Sequence, residues 1–272
     1  MRFVCPKCRG RLNVFDGYVK CPEGHSYDRA RAGYYNLLLS NSGQNHGDNR
    51  EMILARRDFL DTGAYAPLRE RIAELVDECL FSNGTILDVG CGEGYYTDAI
   101  ARKLLESGKS AEIYGFDISR DAVTSASKRN KAFNLAVASA YKIPVADGDF
   151  DVLINMFSPF SLEETLRALR RGGKFIMAIP AEEHLYELKA AIYDTPYKNT
   201  VADTALEGFE LILDEPLRFT VDLRSRDAVA SLFKMTPYAY RTRPTDAARI
   251  EALESLSVTA DFRIFAYRKK RG

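Results

Sequence analysis

From residue 84 onward, short apolar runs alternate with longer stretches of helical periodicity. The runs at 85–89, 112–117, 135–138, 150–155 and 174–179 are brief and apolar, as strands buried on both faces of a parallel sheet are. Between them, 95–105, 119–129 and 162–169 carry helix patterning, with Ser119 as an N-cap and Arg171-Gly172-Gly173 as a glycine C-cap. This alternation predicts an α/β fold with a doubly wound parallel sheet. Farther on, 182–193 and 227–233 read as helices, and 209–223 and 258–267 as an extended pair closing the sheet. Upstream, 51–81 reads as helix broken near Asp61-Thr62-Gly63, with Leu68, Ile72, Leu75, Val76 and Cys79 on one stripe.

The first strand of the alternating region runs into Asp88-Val89-Gly90-Cys91-Gly92-Glu93-Gly94-Tyr95-Tyr96-Thr97. Glycines at 90, 92 and 94 permit a tight turn and close approach of a ligand to the backbone. The helix behind the turn offers unpaired N–H groups, suited to a pyrophosphate or to the carboxylate of S-adenosylmethionine (SAM). The spacing is Asp-x-Gly-x-Gly-x-Gly rather than G-x-G-x-x-G, and residue 95 is Tyr. Asp117 ends the second strand, where a carboxylate can accept from both ribose hydroxyls. The turn, Asp88 and Asp117 together favour SAM over a bare glycine turn in another α/β domain. The loop Asn155-Met156-Phe157-Ser158-Pro159-Phe160 follows the fourth strand, where a methyl acceptor would meet the donor. Asn155 then faces the cofactor and Ser139 borders it; Phe157 and Phe160 either hold a planar base or pack in the core. His184 reads either as a ligand contact or as a surface residue.

The first thirty residues carry a second pattern. Cys5-Pro6-Lys7-Cys8 and Cys21-Pro22-Glu23-Gly24-His25 are two knuckles, separated by a segment with turn signals at Gly10 and Asp16-Gly17. Cys5, Cys8, Cys21 and His25 thus form a Cys₃His set for a structural Zn²⁺, with no position left for substrate. So short a piece needs the metal to fold.

The 272 residues suit one large domain plus a small one, divided as a zinc ribbon (1–36), a linker and helix (37–64) and a catalytic domain (65–272). Lys+Arg and Asp+Glu both total 38, so overall charge announces no polyanionic partner. Residues 1–36, however, hold seven basic and three acidic side chains, which suits RNA recognition as well as a solvated surface. Tyr34, Tyr35, Leu37, Leu38 and Leu39 are expected to pack the ribbon against its neighbour, although Tyr34 or Tyr35 could stack on bases instead. The polar stretch 40–49 reads as a linker with His46 exposed. No apolar run reaches the ~20 residues of a membrane span, and the N-terminus lacks a secretory h-region. Five cysteines without a secretion signal predict a reducing, cytoplasmic setting.

Together with Gly33-Tyr34-Tyr35-Asn36-Leu37-Leu38, Gly47-Asp48-Asn49, Ala55-Arg56-Arg57-Asp58-Phe59-Leu60-Asp61 and Met235-Thr236-Pro237-Tyr238, these motifs resemble the ribosomal large-subunit RNA (guanine-N1-)-methyltransferases over nearly the whole chain. The resemblance implies a class I SAM-dependent methyltransferase domain with an N-terminal zinc ribbon. It implies methylation of guanine N1 in a hairpin loop of 23S rRNA, and a homodimer; some members contribute to macrolide resistance. By matching position, it places Tyr65, Tyr96, Thr97 and His184 on SAM, beside Asp88, Gly90, Gly92, Asp117 and Asn155. Guanine N1 must also lose a proton, and the sequence singles out no base for it. Two other readings fit parts of the pattern: a small-molecule methyltransferase whose ribbon serves oligomerisation, and a non-catalytic RNA-binding protein.

Overall fold

The computed structural model describes residues 1–39, 47–201, 203–240 and 242–271. His46 and most of the expected linker lie outside the described residues. The chain opens with three short antiparallel strands, β1 (Asn13–Phe15), β2 (Tyr18–Lys20) and β3 (Ser26–Asp28), followed by β4 (Tyr35–Asn36). Helices α1 (Arg50–Asp61) and α2 (Ala66–Cys79) lead into β5 (Asn83–Val89), α3 (Tyr95–Glu106), β6 (Ser110–Asp117), α4 (Arg120–Arg129) and β7 (Asn134–Val137). Then come β8 (Phe150–Met156), α5 (Leu162–Ala168), β9 (Leu169–Pro180), α6 (Tyr186–Ile192) and β10 (Phe209–Leu223). The chain ends with α7 (Arg226–Met235), a 3₁₀ turn (Pro237–Tyr240), α8 (Pro244–Glu251) and β11 (Leu256–Lys269).

Four helices begin where a short polar side chain caps them. Asn49, Ser119, Ser161 and Ser225 accept hydrogen bonds from the backbone N–H of Met52, Ala122, Glu164 and Ala228. The main sheet has the order β10-β11-β9-β8-β5-β6-β7-β4. From β4 to β9 the strands are parallel; β11 and β10 close the far edge antiparallel. The connections reverse direction between β5 and β8, which opens a crevice at their carboxyl ends.

One expectation fails at Arg171-Gly172-Gly173. Helix α5 ends at Ala168, and its last carbonyls accept from Gly148 N and Asp149 N in the neighbouring segment. The chain therefore passes straight into β9. The glycines instead form an irregularity in the β8–β9 ladder, where Phe150 pairs with Leu169 but Val152 with Lys174. A Cβ on Gly173 would stand 2.9 Å from the Arg170 carbonyl oxygen. The expected helix at 182–193 is also shorter, because 181–185 forms a turn with Leu185 at φ 56°.

Period-2 alternation sends the strand side chains to two cores. Ile86, Ile113, Leu135, Val137 and Ile154 pack beneath α1–α4, α6 and α7. Leu87, Tyr114, Phe116, Ala136 and Leu153 face the other way, and much of what covers them is the ribbon: Phe3, Cys5, Leu12, Val19 and Cys21 belong to the same core. Phe3 meets Tyr114 edge-on at 5.2 Å. Arg2 reaches Asp149 at 2.5 Å and Glu112 at 3.0 Å, and Arg9 bonds the Val145 carbonyl at 2.8 Å. Tyr35 and Leu37 join this core and Tyr34 the other, so these aromatics serve packing.

Because Phe3 is buried against the sheet, Phe3→Ala is predicted to destabilise the whole chain by about 3–5 kcal/mol. Urea unfolding of the zinc-loaded protein should show one transition at lower denaturant. A separate early transition confined to the ribbon would contradict the shared core.

Candidate active site and metal centre

Each zinc knuckle is built by local hydrogen bonds. Arg9 N donates to Cys5 O and Cys5 N to Gly10 O; Gly24 N donates to Cys21 O and Cys21 N to His25 O. Arg9 and Gly24 take left-handed conformations at these turns (φ 60° and 86°). The four ligand atoms of Cys5, Cys8, Cys21 and His25 all lie within 4.8 Å of one another. Cys8 Sγ is 3.6 Å from Cys21 Sγ, and His25 Nδ1 is 3.5 Å and 3.4 Å from the sulfurs of Cys5 and Cys21. A tetrahedron with Zn–S bonds of about 2.3 Å has edges near 3.8 Å, so the set fits Zn²⁺. The Tyr27 hydroxyl lies 3.2 Å from Cys5 Sγ, an outer-shell hydrogen bond of the kind that orients a ligand.

At the carboxyl end of β5 the glycine turn follows the expected path. Gly90, Gly92 and Gly94 all have positive φ, and Gly94 opens α3. A Cβ on Gly90 would lie 2.1 Å from Ser158 Oγ, whereas one on Gly92 would meet no atom within 4 Å. Gly92 N donates to Asp117 Oδ2 at 3.0 Å, and Ser119 N to Asp117 Oδ1 at 2.8 Å. These bonds fix the Asp117 carboxylate beside the turn, while its burial raises its pKa.

A cavity of about 460 Å³ opens there. Tyr65, Asp88, Gly90, Gly92, Tyr96, Asp117 and His184 line it, as do Phe157 and the whole of Met235-Thr236-Pro237-Tyr238. Thr97 and Asn155 do not. The Thr97 hydroxyl donates to Asp88 Oδ2 at 2.5 Å, so Thr97 orients the carboxylate from behind. Asn155 falls on the ribbon-facing side of β8 with Leu153, and its amide donates to Val89 O at 3.0 Å. Met156, on the opposite face, lines the cavity instead. Ser139 stays in its own turn, accepting from Tyr141 N, and Phe160 packs on Phe175 in the core. Phe157 is the loop aromatic that reaches the cavity, 40% exposed and held at φ 61°.

His184 is buried rather than on the surface. Its Nδ1 accepts from Asp261 N at 3.3 Å, which leaves the proton on Nε2, and burial holds its pKa down at about 3. Sequence reasoning missed its supports. Lys189 is fully buried and has no carboxylate partner among the described residues. It donates to Tyr197 O at 3.0 Å and Asn199 Oδ1 at 2.6 Å. Asn199 in turn donates to the carbonyls of Ala181 and His184, fastening this wall. No pattern marks a lone buried lysine on so short a helix. Glu93 was also missed, although it sits inside the glycine motif. It lines the cavity and accepts from Arg129 Nε at 2.8 Å.

Six buried side-chain polar atoms among the described residues lack a partner, and five line this cavity: Tyr65 Oη, Asp88 Oδ1, Glu93 Oε1, Tyr95 Oη and Tyr96 Oη. Native interiors leave few such atoms, so the cluster marks a place for a polar ligand. Desolvation lifts the Asp88 carboxyl to about 7 and raises Glu93 as well. Glu93 is already paired with Arg129, so Asp88 is the carboxyl that a cationic ligand would return to the charged form.

Comparison with known proteins agrees with this geometry. Residues 80–222 match the family model described as a methyltransferase domain, and residues 3–42 match the model of the RlmA N-terminal zinc ribbon. A Streptomyces fradiae protein named 23S rRNA (guanine(748)-N(1))-methyltransferase is 32% identical over 252 residues, covering 90% of this chain and 88% of its own. YxjB of Bacillus subtilis (strain 168), provisionally named a 23S rRNA (guanine-N(1)-)-methyltransferase, is 32% identical over 268 residues, covering 95% and 94%. A Geobacter sulfurreducens malonyl-[acyl-carrier protein] O-methyltransferase is 32% identical over half of this chain and 54% of its own. A methyltransferase domain brings SAM as methyl donor. The residues fit it, since its ammonium and sulfonium cations match the carboxylates and its hydroxyls match the unpartnered oxygens.

Asp88 sets a pH dependence. Its folded pKa lies above the unfolded value of 3.8, so the folded chain holds a proton that the unfolded chain releases. That contribution to stability is full below the unfolded value and is lost as pH rises toward 7. Relative to Asp88→Asn, the ligand-free wild type is predicted to lose stability from about pH 5 to about pH 7 in thermal melts. A difference independent of pH would contradict a neutral Asp88. The purified protein should also carry one zinc per chain, and Cys8→Ser should lower that content.

Proposed function

The chain belongs to the 23S rRNA (guanine-N1-)-methyltransferase family, and from that premise we propose that it transfers the methyl group of SAM to N1 of a guanine in a hairpin loop of 23S rRNA. The observation that carries this reading is the union, in one chain matched over 95% of its length by such a relative, of a Cys₃His ribbon and a cavity lined by buried carboxylates and unpartnered hydroxyls. The ribbon grips the RNA and residues 65–272 carry the transfer; we read the working form as a cytoplasmic homodimer.

Bound SAM supplies an electrophilic methyl carbon. Guanine N1, once its proton has passed to solvent, would be the nucleophile for that carbon. The protein contributes mainly position, because an in-line approach is what such a transfer requires. Asp117, immobilised by two backbone N–H groups, holds the ribose hydroxyls. Asp88 and Glu93 receive the cationic end, with Thr97 and Arg129 orienting them. Tyr65 and Tyr96 turn unpartnered hydroxyls to the same ligand. Phe157 offers its ring to the guanine plane. Neutral His184, with Nδ1 already accepting, acts as a hydrogen-bond donor and not as the base for N1.

Asp117→Asn is predicted to weaken SAM binding about tenfold or more, the scale of a hydrogen bond to a charged group. Calorimetry on the purified variant measures it, and unchanged affinity would remove Asp117 from the site. With labelled SAM and unmodified 23S rRNA, the wild type should place one methyl on guanine N1 in a hairpin loop. Absence of label from the rRNA would refute the assignment.

A further inference from the structure

The ribbon's three-stranded sheet has two unlike faces. Its register pairs Phe15 with Tyr18 and Tyr18 with Asp28 in one row, and Asn13 with Lys20 and Lys20 with Ser26 in the next. These six side chains therefore share one face. The opposite face holds Val19, fully buried, and Tyr27, whose hydroxyl meets Cys5 Sγ, with Val14 exposed at its outer edge. The metal and the shared core lie on that second side, and the first is left to solvent.

On the open face Phe15 is 48% exposed and belongs to neither core. Its ring stacks on Tyr18 with centroids 5.0 Å apart and planes 10° from parallel. Arg2 and Arg9 of the ribbon are tied to acids of the large domain. Lys7, Arg11, Lys20, Arg29 and Arg31 are exposed and form no ion pair among the described residues. Lys20 stands on the open face itself, in the row beside the aromatic pair.

We propose that this face is a stacking platform for an unpaired base of the rRNA hairpin loop, a reading that rests on the proposed function. A base stacks on the exposed side of the Phe15–Tyr18 pair, Lys20 meets the adjoining phosphate, and Asp28 at the end of the aromatic row accepts from a base N–H. Open rings bind the faces of splayed bases, which a paired stem does not offer, so the platform selects loop over stem. The free cations favour a polyanion over a protein partner.

The test uses the full-length, zinc-loaded protein and fluorescence anisotropy with two probes: a 23S rRNA hairpin carrying its loop, and the same stem as a blunt duplex. Phe15→Ala combined with Tyr18→Ala should weaken loop binding about tenfold or more and leave stem binding unchanged. Lys20→Gln should reduce the slope of log Kd against log salt by roughly 0.7. Phe15→Tyr should restore loop affinity, and Phe15→Ser alone, at an exposed position, provides the same test should the double variant lose zinc. Zinc content and SAM affinity equal to wild type show that the variants fold. Wild-type loop binding by the aromatic variants would overturn the platform while leaving methylation in place. An equal loss on loop and stem would overturn stacking as its basis. A wild-type protein that binds neither RNA would overturn the platform and the proposed function together.

Discussion

A parallel sheet must have both faces buried, and here the second face is covered in large part by a metal module. Helices cover one side, where Ile86 and Ile154 point. On the other, Leu87, Tyr114 and Phe116 pack against Phe3, Cys5, Leu12 and Val19. A ribbon of this size has too little apolar surface to fold on its own. The sheet for its part has an apolar face that the ribbon closes. Zinc thus stabilises the ribbon directly and the catalytic sheet through it, with Arg2 and Arg9 holding the seam in register.

The cavity at the end of β5 follows from the same sheet. Strand alternation sets Ile86 and Asp88 on the helix side and Leu87 and Val89 on the ribbon side. Asp88 therefore enters the cavity buried, with one oxygen bonded to Thr97 and the other without a partner. Asp117 arrives at the end of β6 and is fixed by Gly92 and Ser119. Carboxylates in so dry a setting are unfavourable while alone, and a cationic ligand relieves that cost.

Much of this was legible in the sequence. Turn and knuckle chemistry is local: the glycines at 90, 92 and 94 and the Cys-x-x-Cys spacing each encode a backbone shape within a few residues, and Ser119 encodes its cap. What depends on contacts distant in sequence was not legible. Gly172-Gly173 has the composition of a helix cap, yet the β8–β9 register makes it a ladder irregularity. Asn155 stands at the right end of the right strand but on the wrong side of it, since one residue of phase decides the face. Phe157 and Phe160 looked equivalent; the structure turns the first to the cavity and the second into the core. The ribbon's place on the sheet has no sequence signature, because its partners lie far along the chain; the Lys189–Asn199 support is nearer in sequence but rests on an irregular loop that no periodicity marks.

Removing the metal while following the donor site tests the account most directly. The purified protein is treated with a zinc chelator, and SAM affinity by calorimetry is read beside the thermal midpoint of the whole chain. If the ribbon closes the sheet, zinc loss lowers the midpoint and weakens SAM binding together, and returning zinc restores both. Metal-free protein that binds SAM with full affinity and melts at the original temperature would show that the ribbon and the sheet are independent, contrary to the shared core.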